Sequence, residues 1–216
     1  MEDLHRHISQ DRRDFEDSPL RRQDLSEEPM HLFELWLKEA IEQEVNEPYA
    51  FTLGTIGHEG YPSCRILYLR GMGEGTLTFF TNYRSRKGVE LAVEDKAVMH
   101  FFWPELHRQV TVRGKVDKVS DEISDSYFAS RPRSSQIGAW ASQQSQTLES
   151  REELEKHIQD LEAEYEGQDI PRPLHWGGYA LQPDEWEFWK GRTSRLHDRF
   201  RYSKSGRSWI IERLYP

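Results

Sequence analysis

Apolar residues recur along this chain with two different periods, and each period predicts a different kind of element. From Pro29 onward they fall three and four positions apart with acidic residues between them, which is typical of a helix that buries one face. A second stripe of this kind follows Ser150, which forms a capping-box signature with Glu153 at the start of a predicted helix over 150–166. Shorter helices are predicted over 86–93 and 121–130.

Alternating apolar and polar residues, interrupted by glycine-rich turns, predict strands through most of the remaining chain. The spacing of Gly71, Gly73 and Gly75 differs from that of a dinucleotide-binding motif, so these glycines are interpreted as a hairpin turn. Many strands joined by short turns predict an α+β fold with a mainly antiparallel sheet or barrel. The predicted strands are 50–56, 63–69, 77–81, 98–103, 109–119, 178–181, 185–189, 197–202 and 209–214.

Length and charge narrow the class of protein. The 216 residues fit one domain, predicted over 29–216, after a charge-rich and partly flexible arm over 1–28. The 29 basic and 38 acidic residues give a net charge of −9, which is unlike a nucleic-acid-binding protein. No apolar run predicts a membrane span or a secretory signal, and the single cysteine, Cys64, suits a cytoplasmic location. The nine histidines lack metal-ligand spacing, so no metal is expected.

Clusters of basic residues in an acidic chain predict local sites for small phosphorylated ligands. Segment 81–87 follows a strand and opens a helix, where backbone N–H groups, hydroxyls and the side chains of Arg86 and Lys87 would form a phosphate cradle. The alternative is an ordinary Ser-capped helix with a basic first turn. Because cations are disfavoured in that turn, the anion site is the preferred interpretation.

Two further segments combine cations with groups that could handle a phosphate or a proton. Segment 127–135 mixes the Tyr127 hydroxyl, guanidinium groups and serines just past a helix, so it is either a second phosphate site or a polar loop. If segment 195–199 is extended, alternation places Arg195, His197 and Arg199 on one face, as an anion-binding and proton-handling surface. The alternative there is an exposed edge strand with solvated charges.

These segments belong to a longer series of short stretches that occur in a characteristic order. The stretches are 65–70, 80–82, 85–87, 108–110, 127–128, 136–140, 142–145, 176–178, 187–189, 195–199 and 213–216. Together they resemble the pyridoxine/pyridoxamine 5′-phosphate oxidase family, from about Arg12 to the last residue. An ordered series of this length is far more specific than any one segment.

The resemblance implies a split-barrel FMN-binding fold that works as a homodimer with FMN at the subunit interface. It also implies oxidation of pyridoxine or pyridoxamine 5′-phosphate by O2 to pyridoxal 5′-phosphate, with release of hydrogen peroxide. The flavin would perform the redox step while the protein positions the donor carbon. The two phosphate sites suggested by the basic clusters agree with this, since one phosphate would belong to FMN and the other to the substrate.

Carried over position by position, the resemblance assigns a role to each matching residue. The FMN site would comprise Arg65, Ile66, Leu67, Tyr68, Leu69, Arg70, Phe80, Thr81, Arg86 and Lys87, completed largely from the other subunit by Gln109, Gln144, Ser145, Trp189 and Arg199. The substrate would be bound by Arg12, Phe15, Arg70, Tyr127, Arg131, Ser135, Arg195, Leu196 and His197. Arg195 and His197 would be the catalytic residues, which orient the substrate and assist its loss of a proton.

The chain departs from the family pattern at two positions and raises one geometric question. Arg70 stands where the family usually has Lys, and Phe15 stands where some members have Tyr. Arg65 and Arg70 are five residues apart, so a regular strand would point them to opposite faces. If both reach one site, the strand must twist, bulge or end near Gly71.

Two other functions remain open. One is a related FMN oxidase that acts on another substrate, such as the phenazine-pathway branch of the superfamily. The other is a non-catalytic carrier of flavin or pyridoxal phosphate on the same fold. The segments 131–136 and 195–199 favour the vitamin-phosphate oxidase.

Overall fold

The computed structural model describes Arg6, Asp14, Phe15 and residues 18–216, and Arg12 lies outside the described residues. From residue 18 onward it contains five α-helices and nine strands. The helices are α1 (Pro29–Glu42), α2 (Arg86–Val93), α3 (Asp121–Ser130), α4 (Arg133–Ala141) and α5 (Arg151–Glu164). The strands are β1 (Ala50–Ile56), β2 (Pro62–Tyr68), β3 (Gly71–Gly73), β4 (Thr76–Asn82), β5 (Lys96–Trp103), β6 (Arg108–Lys118), β7 (Trp176–Lys190), β8 (Asp198–Ser205) and β9 (Ser208–Leu214).

The chain folds as two compact units, each assembled from separate stretches of sequence. The first unit comprises the chain through Pro48 together with His100–Val112 and Glu185–Pro216. The second unit comprises Tyr49–Met99 and Arg113–Asp184. The single domain expected over 29–216 stays a prediction.

The strands pair in antiparallel fashion, as the short turns predict. The hydrogen-bonded strand order is β2-β1-β5-β6-β7-β4-β3, and the register between β1 and β2 runs from Ala50 opposite Tyr68 to Ile56 opposite Pro62. In the first unit the last part of β7 pairs with β8, and β8 pairs with β9. The predicted α+β class with a mainly antiparallel sheet is therefore confirmed.

Aromatic side chains dominate the core of the first unit. The apolar face of α1 buries Phe33 completely, and its ring centroid lies 4.8 Å from that of Phe101 and 5.5 Å from that of Trp186. On the same helix, Trp36 meets Phe188 edge to face at 5.3 Å. Burial of large aromatic surfaces at these spacings accounts for the stripe of apolar residues that follows Pro29.

A second cluster lies under the helices of the second unit. Phe128 of α3, Ile137 of α4 and Leu161 of α5 are buried together with Trp176 at the start of β7. The predicted N-cap of α5 is confirmed, because the Ser150 hydroxyl accepts a hydrogen bond from the backbone N–H of Glu153. No helix among the described residues is long and apolar enough to cross a membrane.

Several predicted strands differ from the structure by one to three residues at their ends, Gly71–Gly73 of the predicted turn form β3, and two further differences are larger. Segments 178–181 and 185–189, expected as separate strands around Pro183, belong to the one strand β7. It passes so close to β6 that a Cβ at Gly114 would lie 2.0 Å from the Gln182 carbonyl oxygen, so the missing side chain at 114 lets the ladder continue. The stretch after Pro132, weighed as a polar loop, instead forms α4, which starts at the residue after that proline.

Truncation of Phe33 to alanine should lower the free energy of unfolding by about 3–5 kcal/mol, because it empties a fully buried aromatic site. Urea denaturation followed by tryptophan fluorescence measures the change. Leu35→Ala is the matched control, since Leu35 lies on the same helix and is 49% exposed, and it should change stability by no more than about 0.5 kcal/mol. Equal losses in the two variants would contradict this assignment of the core.

Candidate functional site

The second unit encloses a cavity of about 640 Å³ between the ends of β2 and β4 and the helices α3 and α4. A cavity of this size accommodates a small organic ligand. Nine of the predicted site residues line it: Leu67, Tyr68, Arg70, Phe80, Thr81, Tyr127, Arg131, Ser135 and Gln144. Asn82 and Trp176, to which the sequence assigns no role, line it as well.

The turn from β4 into α2 places a buried lysine beside this cavity. Ser85 caps the helix by accepting from the Gly88 N–H, and its hydroxyl donates to the Asn82 carbonyl oxygen at 2.6 Å. Lys87 Nζ lies 3.2 Å from Thr81 Oγ1 and 3.5 Å from Gln144 Oε1. The segment is thus a Ser-capped helix with a basic first turn, and its lysine and hydroxyls adjoin a cavity as a phosphate cradle requires.

The environment of Lys87 favours the neutral form of its amine. Burial, together with the nearby charge of Arg65, lowers the pKa of Lys87 to about 8, and Glu90 acts in the opposite direction. An anionic ligand in the cavity would restore the preference for the charged form. This is the behaviour expected of a lysine that awaits an anion.

Arg65 and Arg86, also predicted to hold the cofactor, are both bound to the buried carboxylate of Glu90. Arg65 Nη2 lies 3.1 Å from Glu90 Oε2, and Arg86 Nε lies 2.9 Å from Glu90 Oε1. Hydroxyls of Thr55 and Ser63 donate to the same two oxygens at 2.5 and 2.6 Å. Burial acts against ionisation, but these four hydrogen bonds lower the pKa of Glu90 to about 2.

The end of β2 explains why Arg65 and Arg70 have different surroundings. That strand ends at Tyr68, and the backbone N–H of Arg70 donates to Thr78 instead. Arg70 then lines the cavity, while Arg65 points its guanidinium to Thr55 and Glu90. The structure therefore does not bring the two arginines to the same part of the site.

Two other residues predicted to hold the cofactor, one in β2 and one just after it, have different environments. Ile66 is 70% exposed and Leu69 is buried in the core. Ser145, beside Gln144, is exposed and has a positive φ of 74°.

A stack of aromatic rings forms one wall of the cavity and supports a guanidinium. Phe80 and Tyr127 stack at 3.8 Å, and the ring plane of Trp176 lies within 3° of that of Tyr127. The Arg131 guanidinium carbon lies 4.4 Å from the centre of the Trp176 ring. Among the described residues its buried Nη1 atom has no hydrogen-bond partner, and burial lowers the pKa of Arg131. An orphan donor of this kind beside a cavity fits an anionic ligand.

The first unit carries the other predicted site residues. Gln109, Trp189 and Arg199 are half-buried strand residues, and Arg199 Nε donates to Glu187 at 2.9 Å. Leu196 and Arg195 are exposed.

Segment 195–199 is not the extended strand weighed from the sequence. Ser194 and Arg195 have positive φ angles of 57° and 59°, and β8 begins only at Asp198. Alternation therefore does not place Arg195, His197 and Arg199 on one face. The Asp14 carboxylate accepts from the Ser194 N–H at 2.7 Å, a bond from far along the chain that local alternation cannot anticipate.

His197 sits in an aromatic surrounding with one ring nitrogen already engaged. Its ring lies 4.6 Å from Trp189 and 5.9 Å from Phe15. The backbone N–H of Arg192 donates to His197 Nδ1 at 3.1 Å, so the ring proton of the neutral form lies on Nε2. Burial and the charge of Arg195 lower the pKa of His197, with Asp14 acting in the opposite direction. The ring is therefore a neutral hydrogen-bond donor through Nε2.

The chemistry of these groups suits anions rather than metal ions. Among the described residues no group of three or more His, Cys, Asp or Glu side chains could hold a metal. The second unit instead offers Lys87, two arginines on one carboxylate, and the partnerless Nη1 of Arg131. Such donors bind phosphate groups.

Family models match most of the chain. The model described as pyridoxamine 5′-phosphate oxidase matches residues 37–165, and the one described as pyridoxine 5′-phosphate oxidase C-terminal dimerisation region matches residues 176–216. A pyridoxine/pyridoxamine 5′-phosphate oxidase of a Cyanothece species is 48% identical, over 97% of this chain and 98% of its own length. The protein of that name from Thermosynechococcus vestitus is 49% identical, over 95% and 97%.

Solved structures show the same fold. PhzG from Burkholderia lata, crystallised with tetrahydrophenazine-1-carboxylic acid, has a TM-score of 0.87 and 32% identity, covering 93% of this chain and 99% of its own. A pyridoxamine 5′-phosphate oxidase-related, FMN-binding protein from Nostoc punctiforme has a TM-score of 0.69 and 16% identity, covering 89% and 98%. These neighbours confirm the predicted split-barrel fold.

Nitrogen NMR of labelled histidines should show His197 protonated on Nε2 and unprotonated on Nδ1, with a titration midpoint below that of an ordinary histidine. Because the pKa is lowered on folding, the native state binds the proton less well than the unfolded state, so His197 costs stability as pH falls through its ordinary value. A His197→Gln variant should accordingly lose less stability than the parent below pH 6.5. A proton found on Nδ1 at neutral pH would contradict the assignment.

Proposed function

Because the chain belongs to the pyridoxamine 5′-phosphate oxidase family, we propose that it oxidises pyridoxine 5′-phosphate or pyridoxamine 5′-phosphate with FMN as cofactor. The observation that carries this proposal is the presence of two separate cationic groups at one cavity. Lys87 lies behind the wall, against the lining residues Thr81 and Gln144, and Arg131 lies in another part of the wall with an Nη1 atom that has no hydrogen-bond partner among the described residues. Two phosphates, one on the cofactor and one on the substrate, would use both.

The residues around the start of α2 fit the phosphate of FMN. Lys87 and Arg86 supply cations, and the hydroxyls of Thr81 and Ser85 lie within hydrogen-bond distance of Lys87 Nζ. The helix N-terminus adds its own positive end. When bound, FMN would accept a hydride from the substrate and pass the electrons to O2, which yields hydrogen peroxide; the alcohol also loses a proton to give pyridoxal 5′-phosphate, and the amine reaches the same aldehyde after water releases ammonia from the imine.

The wall built on the aromatic stack fits the phosphate of the substrate. The Arg131 guanidinium rests on the ring of Trp176, and Tyr127 and Ser135 line the same cavity. Arg70 lines this cavity too, with its guanidinium 5.0 Å from the Tyr68 ring. The guanidinium of Arg70 keeps the charge of the usual lysine and can bind a phosphate through two nitrogens at once.

Arg195 and His197 are the residues we propose for orienting the reacting part of the substrate. His197 can donate from Nε2, but it could take up a proton only by breaking the bond from the Arg192 N–H. This favours orientation of the substrate over proton removal as the role of His197. Replacing both residues should therefore slow flavin reduction more than it weakens FMN binding.

The match to a dimerisation region supports a homodimer. As the family resemblance implies, Gln109, Ser145, Trp189 and Arg199 would then complete the FMN site from the partner subunit, whereas Gln144, expected with them, lies 3.5 Å from Lys87 of its own chain. Phe15 would cover the substrate by stacking, without the hydroxyl of a tyrosine. The role expected for Arg12 stays a prediction.

The likeness to PhzG supports one alternative, an oxidase of a phenazine-type substrate. A phenazine carboxylic acid is also an anion, so Arg131 can bind either kind of substrate and its replacement does not separate them. The two functions differ in the substrate that reduces the flavin, because a phenazine-type oxidase would not be bleached by pyridoxine 5′-phosphate. A carrier of flavin or pyridoxal phosphate would bind its ligand without turnover.

The first test is the visible spectrum of the FMN-loaded protein before and after pyridoxine 5′-phosphate is added without oxygen. The flavin band should bleach and should return when air is admitted, because the substrate delivers a hydride and O2 removes it. Unphosphorylated pyridoxine at the same concentration is the control and should bleach the band far more slowly. A loaded protein that stays oxidised with the phosphate would contradict the proposal.

FMN affinity should fall as pH rises through about 8, because Lys87 loses the charge that binds phosphate. The expected rise in Kd is about tenfold between pH 7 and pH 9, measured by flavin fluorescence. Lys87→Arg is the matched control, since a guanidinium stays charged over this range and should flatten the profile. An equally steep profile in that variant would show that another group titrates.

A further inference from the structure

We propose that Glu90 is a positioning residue, which acts through Arg65 and Arg86 to set the affinity of the site for the phosphate of FMN. This inference rests on the proposed function, because it concerns the same cofactor site. It concerns a residue to which neither the sequence motifs nor the family resemblance assigns a role.

Each carboxylate oxygen of Glu90 accepts one hydrogen bond from an arginine and one from a hydroxyl. Oε2 accepts from Arg65 Nη2 at 3.1 Å and from Thr55 Oγ1 at 2.5 Å. Oε1 accepts from Arg86 Nε at 2.9 Å and from Ser63 Oγ at 2.6 Å. Two hydroxyls from β1 and β2 therefore fix the carboxylate, and the fixed carboxylate orients two guanidinium groups.

The burial of Glu90 makes this arrangement more than a surface ion pair. Its side chain is 6% exposed, whereas that of Arg86 is 67% exposed. A carboxylate so far from water is retained only where its bonds are well satisfied, and all four donors here belong to the same cluster. Its pKa of about 2 keeps it charged at every pH at which the protein would work.

The bond to Glu90 uses the one nitrogen of Arg86 that leaves the outer edge of the guanidinium available. Among the described residues, Arg86 makes hydrogen bonds only through Nε. Its two terminal nitrogens can therefore bind a phosphate oxygen each, in a plane that Glu90 has already fixed. Fixing that plane before the ligand arrives removes part of the ordering cost of binding.

Replacement of Glu90 by glutamine separates orientation from charge. An amide has one acceptor oxygen, so the side chain can no longer accept hydrogen bonds from both arginines. Its NH2 group would then face the N–H and O–H donors that bound the other carboxylate oxygen. The loss of a negative charge alone would tighten the binding of a phosphate. If orientation dominates, as we propose, Glu90→Gln weakens FMN binding instead.

The experiment compares FMN with riboflavin, which has the same ring system without the phosphate. Dissociation constants of both flavins are measured on apoprotein by flavin fluorescence, for the parent, Glu90→Gln and Glu94→Gln. Glu94 is the matched control, because it follows the same helix and its carboxylate lies 3.5 Å from Lys96 rather than at either arginine. Thermal unfolding of each apoprotein shows whether the fold is retained.

We expect Glu90→Gln to raise the Kd for FMN about tenfold while the Kd for riboflavin changes less than about twofold. Glu94→Gln should leave both values unchanged. A structural role alone would weaken both flavins equally, and a purely electrostatic role would tighten FMN; either result overturns the inference. A parent protein that binds neither flavin would overturn the proposed function and the inference with it, which is a different outcome from an unchanged ratio in a parent that binds both.

Ser63→Ala gives a second test that does not disturb the charge. Ser63 lies on the partly exposed face of β2, and its hydroxyl only fixes the carboxylate. We expect FMN affinity to fall about threefold with riboflavin affinity unchanged, because the Glu90 carboxylate loses one of the hydrogen bonds that hold its orientation. If Glu90→Gln does not fold, an unchanged FMN affinity in Ser63→Ala overturns the inference on its own.

Discussion

The candidate site depends on how the fold keeps cations at a place that disfavours them. The first turn of a helix carries a positive end, yet α2 begins with Arg86 and Lys87 and brings the guanidinium of Arg65 close to them. Among the residues that the structure describes, the carboxylate that pairs with the arginines of this group is that of Glu90. The cluster is therefore left with an excess of positive charge, which a bound anion would neutralise. Hydroxyls from neighbouring strands hold the cations in place until then.

Arg172 and Arg131 of the second unit show two ways in which the fold surrounds a guanidinium away from water. Arg172 is paired with Asp121 and Asp125, and although burial acts against it, these carboxylates raise its pKa. Arg131 rests on the ring of Trp176, its Nη1 atom has no partner among the described residues, and burial lowers its pKa. Burial of an unsatisfied donor costs free energy that a phosphate would recover. The aromatic stack supplies support for the guanidinium without neutralising its charge.

The sequence predicts most elements because their signals are local. Helices α2 and α3 have the predicted bounds, since a serine caps each of them and a period of apolar residues follows. Helix α4 is not predicted from the sequence, because it follows a proline and has only a weak apolar stripe. The length of β7 depends on the close passage of Gly114 beside Gln182, which is a contact between residues distant in the chain.

The same distinction applies to the site. Short motifs single out Lys87, Tyr127 and Arg131 as candidates, because basic and hydroxyl groups cluster along the chain there and resemble those of a known family. Glu90 and Trp176 are not among the candidates, because an isolated acid on a helix and a tryptophan after a loop look like ordinary surface and core residues. Their roles come from the side chains that they hold, and those are brought to them by the fold.

The loop before β8 shows how a departure of the backbone from regular strand geometry can determine the chemistry of a side chain. If segment 195–199 were a regular strand, neither ring nitrogen of His197 would have a hydrogen-bond partner within that strand. Instead, the positive φ angles at Ser194 and Arg195 turn the chain so that the Arg192 N–H meets Nδ1. That bond selects one tautomer, and the charge of Arg195 disfavours the protonated form. Backbone strain at two residues is thus what leaves the imidazole a neutral donor at Nε2.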